Sequence, residues 1–125
     1  MRLLLDTHVL LWALAGSSGI KRVSARLLSD DNQVFFSVAS LWEVAIKSGI
    51  GKLDANVVEV RKAARESGYE ELAVLGSHIE SLQGLPDHHS DPFDRLLVAQ
   101  AIAEPMLLLT ADSTVALYGA HVEMI

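Results

Sequence analysis

Residues 2–15 read RLLLDTHVLLWALA, two apolar runs separated by Asp6, Thr7 and His8. Arg2-Leu3-Leu4-Leu5 is short and continuously apolar after its first residue, the pattern of a strand covered on both faces. Val9 to Ala15 reads as a helix, with Thr7 as its predicted cap. The same alternation continues along the chain. Ser24 to Ser29 reads as a short helix and Val34-Phe35-Phe36 as a second strand. Ser37 is placed to cap a helix in which Val38, Leu41, Trp42, Ala45 and Ile46 recur at helical spacing, up to Gly49-Ile50-Gly51. A helix follows over Asn56 to Glu66, then a strand over Glu71 to Leu75 and a weak helix over Ser77 to Gln83. Asp91-Pro92 has the acidic cap and N1 proline of a strong helix start, ahead of Phe93, Leu96, Leu97 and Ile102. A strand over Met106 to Leu109, a short helix over Asp112 to Leu117 and a last strand over Val122 to Ile125 complete the series. Strands alternating with helices predict an α/β fold, a parallel sheet with helices on both faces.

The chain has 125 residues, which predicts one domain spanning 1–125. It has no cysteine, which excludes disulfides, thiolate metal ligands and a cysteine nucleophile. Half of the residues are hydrophobic and the mean hydropathy is +0.31. No apolar run reaches the roughly 18 residues of a membrane span, and Asp6 interrupts the only stretch resembling a signal peptide. The expectation is a cytoplasmic protein whose apolar excess serves a buried sheet and a partner surface. Ten basic residues stand against 16 acidic ones, a net charge of −6, so a simple basic nucleic-acid-binding surface is not expected.

Parallel sheets bind ligands at the carboxyl ends of their strands. Asp6 directly follows the first predicted strand, and Asp112 follows the fourth after Thr110-Ala111. Glu43 lies about two turns into the helix after the second strand, and Asp94 lies in the first turn of the Pro92 helix. Four converging carboxylates raise one another's pKa and call for a cation, and oxygen donors of this kind suit Mg²⁺ or Mn²⁺. Each residue also has a plainer role. Asp6-Thr7 and Asp112 can cap helices, Asp91 suits the cap of the Pro92 helix, and Glu43 has Lys47 four residues on, the order that favours a surface ion pair. His88 and His89 precede Asp91 on a loop, where they can contact a phosphate or a metal, although paired loop histidines are usually solvated. His8 reads as structural, and Trp12 and Trp42 as core or interface anchors. Arg95 can bind a phosphate or pair with an acid. Arg22, Arg26, Lys47 and Lys52 can line a groove, although a solvated face is the commoner outcome.

Four ordered segments, LLLDTHVLLW, SVASLWEVAIK, HHSDPFDRLLVAQA and LLLTAD, resemble the PIN-domain ribonucleases. Among these the chain looks most like the toxins of bacterial VapBC toxin–antitoxin systems, from Met1 to about Tyr118. The resemblance implies a three-layer α/β/α fold on a parallel sheet of about five strands. It implies that Asp6, Glu43, Asp94 and Asp112 bind Mg²⁺ or Mn²⁺ and cleave RNA, leaving 5′-phosphate and 3′-hydroxyl ends. Thr7 and Thr110 match small polar positions beside the acids, and Asp91 matches a position that supports the helix start. A VapB-like antitoxin and a homodimer are the implied partners. Two divalent cations would offset four of the six net negative charges, which reconciles the acidic balance with an RNA substrate. A free carboxylate is a poor base for water at neutral pH, whereas a bound metal makes water far more acidic. Two other readings compete. One is a phosphatase with Asp6 as nucleophile, although His8 stands where such enzymes usually place a second aspartate. The other is an RNA- or antitoxin-binding module with an inactive site.

Overall fold

The computed structural model describes residues 1–125. Five strands form one sheet: β1 (Arg2–Leu5), β2 (Gln33–Ser37), β3 (Glu70–Leu72), β4 (Leu107–Thr110) and β5 (Val122–Met124). Their order is β3-β2-β1-β4-β5 and every pairing is parallel. Six helices connect them: α1 (Thr7–Ala15), α2 (Ser24–Leu28), α3 (Val38–Gly49), α4 (Val57–Glu66), α5 (Gly76–Gln83) and α6 (Pro92–Ala103). This is the α/β arrangement with a parallel sheet predicted above. No helix is long and apolar enough to cross a membrane.

The unbroken apolar strands follow from burial on both faces. Leu3 and Leu5 of β1, Val34 and Phe36 of β2 and Leu109 of β4 point to one side, where they pack with Val9 and Leu10 of α1 and Val60 and Ala64 of α4. The intervening Leu4, Phe35 and Leu108 point to the other, against Leu96, Leu97, Val98 and Ala101 of α6. This alternation is the pleat of a strand read out as two cores.

Most predicted elements shift by a residue at an end, and three differ by more. The third strand is Glu70–Leu72 rather than Glu71–Leu75. Beyond Leu72 the backbone leaves the ladder: the Ala73 carbonyl accepts from Gln100 Nε2 (3.3 Å), and the Leu75 N–H donates to His78 Nδ1 (2.9 Å). The predicted Asp112–Leu117 helix is a 3₁₀ turn over Val115–Tyr118. The first helix is capped by Asp6 rather than Thr7: Asp6 is extended (φ −71°, ψ 170°), and its Oδ1 accepts from Val9 N at 2.8 Å.

A buried polar tie fixes α3 against α6. Ser37 Oγ caps α3 by accepting from Ala39 N (3.0 Å), and it donates to Gln100 Oε1 (2.5 Å). Gln100 Nε2 also approaches His78 Nδ1 (3.3 Å), and the opposite ring nitrogen of His78 lies 2.5 Å from Glu104 Oε2. Because Nδ1 accepts from the Leu75 N–H, the neutral ring carries its proton on Nε2, facing the carboxylate. These bonds satisfy the buried polar groups of His78 and Gln100 and set the height of α3, which carries Glu43, relative to α6, which carries Asp94.

Candidate functional site

The chain winds outward from β1 in both directions, so the strand order reverses between β1 and β4. Asp6 leaves the carboxyl end of β1 there, and Thr110 ends β4 beside it. The Asp6 N–H donates to the Leu109 carbonyl (3.1 Å), which carries the parallel seam one residue past the strand. Thr110 Oγ1 donates to Asp6 Oδ2 at 2.5 Å, while Asp6 Oδ1 caps α1. Each carboxylate oxygen has a second lone pair, so Asp6 remains able to bind a cation. Thr7 Oγ1 donates to Ser40 Oγ (2.9 Å) and ties the start of α1 to α3.

Asp6 and Glu43 are only 4 % and 3 % exposed. Lys47 Nζ lies 2.5 Å from Glu43 Oε2, so the ion pair expected from the i,i+4 spacing forms. Its partner Oε1 is buried and has no hydrogen-bond partner. Asp91 caps α6 as expected, its Oδ1 accepting from Phe93 N (2.8 Å) and Asp94 N (3.0 Å). That cap places Asp94 in the first turn.

Of the residues gathered here, His89 has the weakest cue in the sequence. It is not solvated but half-buried between two acids, with Nε2 3.3 Å from Asp94 Oδ2 and 3.2 Å from Asp112 Oδ2. The Asp91 N–H donates to His89 Nδ1 (2.9 Å), so the neutral ring carries its proton on Nε2, between the carboxylates. Ligand atoms of His89, Asp94 and Asp112 lie within 4.8 Å of one another. Its position two residues before a helix cap is the one sequence cue to this role. His88 turns away and meets the Tyr118 ring edge-on at 5.0 Å. Arg95 pairs with Asp87 (3.8 Å) rather than with the site acids. Its Nη1 donates to the Tyr118 hydroxyl (3.0 Å) and the Pro86 carbonyl (3.0 Å), pinning the loop that carries His89. Trp42 is not in the core; it is 57 % exposed and lies edge-on to Phe93.

The acids act on one another. Burial, and then the charges of Asp91, Asp6 and Glu43, push Asp94 up to about 7, against the partial relief of His89. Burial also raises Asp6, opposed by the bonds from Thr110 and Val9. For Asp112 burial acts upward, but the backbone bond from Thr114 and the contact with His89 outweigh it, and its pKa lies below the usual value. Asp94, Asp112 and His89 therefore form a close group, and Asp6 and Glu43 adjoin it through their charge. A buried carboxylate oxygen without a partner, beside acids that repel each other, suits a hard cation held by oxygen donors.

This strain has a measurable sign. Asp94 keeps its proton up to about pH 7 in the folded chain, against 3.8 for the free group. The folded state therefore binds more protons than the unfolded state between those values, and stability falls as pH rises through that window. The raised Asp6 acts in the same direction, while the lowered Asp112 and Glu71 act only at more acidic pH. In EDTA, denaturant unfolding should give about 2–3 kcal/mol more stability at pH 5 than at pH 7.5. A flat or rising profile would contradict the charge crowding described here.

The family model of the PIN domain matches residues 3–119. No curated protein matches the chain in sequence. Among solved structures, the fold is similar to that of VapBC2 from Rickettsia felis bound to a DNA fragment from their promoter. The TM-score is 0.73 at 18% identity, covering 100% of this chain and 99% of that chain. It is also similar to VapBC-1 from nontypeable Haemophilus influenzae, with a TM-score of 0.66 at 15% identity, covering 100% of this chain and 97% of that one. At these identities the likeness is one of fold.

Proposed function

The chain belongs to the PIN domain family, and from that premise we propose that it is a metal-dependent endoribonuclease, the toxin of a VapBC-type pair. The observation that carries the proposal is the acid group at the strand-order reversal, adjoined by Glu43 with its buried, partnerless Oε1. Asp6, Glu43, Asp94 and Asp112 would hold Mg²⁺ or Mn²⁺. The bound metal would lower the pKa of water and stabilise charge on a phosphodiester.

The protein's own groups prepare that chemistry. Thr110 fixes one oxygen of Asp6, and the α1 N-terminus fixes the other, so the carboxylate is oriented before any ligand arrives. The Asp91 N–H holds the His89 ring so that its Nε2 proton lies between Asp94 and Asp112 and restrains both. Lys47 compensates one oxygen of Glu43 and leaves the other available. Asp94, pushed up to about 7, is only partly ionised at neutral pH, so a cation that offsets its neighbours would release protons on binding.

The fold likeness to two VapBC proteins supports a VapB-like antitoxin as partner. Exposed Trp42, Ile46 and Ile50, spaced four apart from α3 into the turn after it, are consistent with a homodimer. The test is cleavage of a labelled single-stranded RNA with Mg²⁺ or Mn²⁺ and with excess EDTA. Metal-dependent fragments ending in 5′-phosphate are expected. Binding without cleavage would identify an inactive binding module, and release of phosphate from a small ester would point to a phosphatase.

A further inference from the structure

Two depressions meet at His8, which is exposed on the first turn of α1. One, of about 440 Å³, is lined by Asp6 and Asp112. The other, of about 230 Å³, is bounded by Thr7, Glu43, Lys47 and Lys52. Their charges differ. In the second cleft Lys47 is committed to Glu43, the only carboxylate lining it, at 2.5 Å. Lys52 is exposed and forms no ion pair. The cleft is thus left with one uncompensated positive charge on a chain whose net charge is −6.

Local structure puts Lys52 there. After α3 the chain turns at Gly51, whose φ of 76° lies in the left-handed region that a side chain disfavours. The Lys52 N–H then donates to the Lys47 carbonyl at 2.9 Å. Next along the chain, Leu53 packs against the core. The lysine backbone is fixed on both sides, and its ammonium is free.

We infer that this cleft binds a backbone phosphate of single-stranded RNA, with Lys52 as its cation. The inference rests on the ribonuclease reading and adds a subsite to it. A strand crossing His8 has Asp6 and Asp112 on one side and Glu43, Lys47 and Lys52 on the other, so the inferred contact holds at Lys52 a phosphate of the same strand that is not itself cleaved. Lys52 is a positioning residue: it fixes the strand without touching the reacting atoms. Of the cations that could have lined a groove, Lys47 and Lys52 do so here, whereas Arg26 pairs with Glu123.

The test uses a fluorescently labelled single-stranded RNA. Its binding is measured by anisotropy in Ca²⁺ over a series of salt concentrations, and its cleavage is followed in Mn²⁺. Lys52→Ala should weaken binding about 3- to 10-fold and reduce the salt slope by about 0.7, the share of one phosphate contact on a single strand. Lys52→Arg should restore both, and in Mn²⁺ the alanine variant should raise KM with little change in kcat. Lys62→Ala, on the exposed face of α4, removes the same charge elsewhere and should leave the slope unchanged. Equal effects of Lys52→Ala and Lys62→Ala, or none from Lys52→Ala while the unaltered chain cleaves RNA, would overturn the subsite and leave the ribonuclease reading standing. A Lys52-dependent slope without cleavage would support the subsite and remove the ribonuclease reading. No RNA binding by the unaltered chain would remove both.

Discussion

Asp94→Asn should reduce metal-dependent RNA cleavage by about 10³-fold or more, equivalent to roughly 4 kcal/mol of transition-state stabilisation. The same change should stabilise the metal-free protein at pH 7.5. Asparagine, like a protonated carboxyl, brings no charge into the burial and the repulsion from Asp91, Asp6 and Glu43 that push Asp94 up to about 7. The gain in unfolding free energy should disappear toward pH 4, where the native aspartate is itself protonated. Opposite movements of activity and stability separate loss of a ligand from misfolding. Asp6→Asn should lose activity to a similar extent and keep the fold, because an amide oxygen still accepts from Val9 N. Full cleavage by either variant, or in excess EDTA, would refute the proposed chemistry.

Phe36→Ala should lower the unfolding free energy by about 3–5 kcal/mol, measured by urea unfolding with the slope held in common. Phe36 is fully buried in β2 and belongs to the core under α1 and α4. Its loss removes an aromatic ring from a site bounded on the sheet side by strands that cannot collapse inward without breaking their ladder. Leu28→Ala, at a residue 83 % exposed, should change stability by less than about 0.5 kcal/mol. A cost below about 1 kcal/mol at Phe36 would mean that this face of the sheet is not packed as described.

Much of the architecture was legible because β1, β2 and β4 lie inside the sheet. Leu3-Leu4-Leu5 and Val34-Phe35-Phe36 are apolar at successive positions, since each alternate residue meets a different layer of helices. The edge strand β3 carries Glu70 and Glu71, so its apolar signal is weak, and the extent of the ladder depends on Gln100 and His78, distant in sequence. Asp6, Asp94 and Asp112 were legible by their place after a strand or at a helix start, although Asp6 also takes the capping role assigned to Thr7. Position on an element does not reveal how close side chains come. The approach of His89 to Asp94 and Asp112 depends on a loop held by the Asp91 N–H and by Arg95, and neither constraint has a local pattern. The position of Glu43 in the sequence suits both an ion-pair partner and a site acid. The structure gives it the ion pair through one oxygen and leaves the other bare.

The seam between β1 and β4 pairs Leu3, Leu4 and Leu5 with Leu107, Leu108 and Leu109. Most of the polypeptide must therefore be synthesised before Asp6 meets the hydroxyl of Thr110 that orients it. A nascent chain still emerging from the ribosome, or a fragment cut off ahead of β4, contains three of the four acids in an unassembled state. On the function proposed above, such a product would not cleave RNA, because the contact between Asp6 and Thr110 forms only once β4 has joined the sheet.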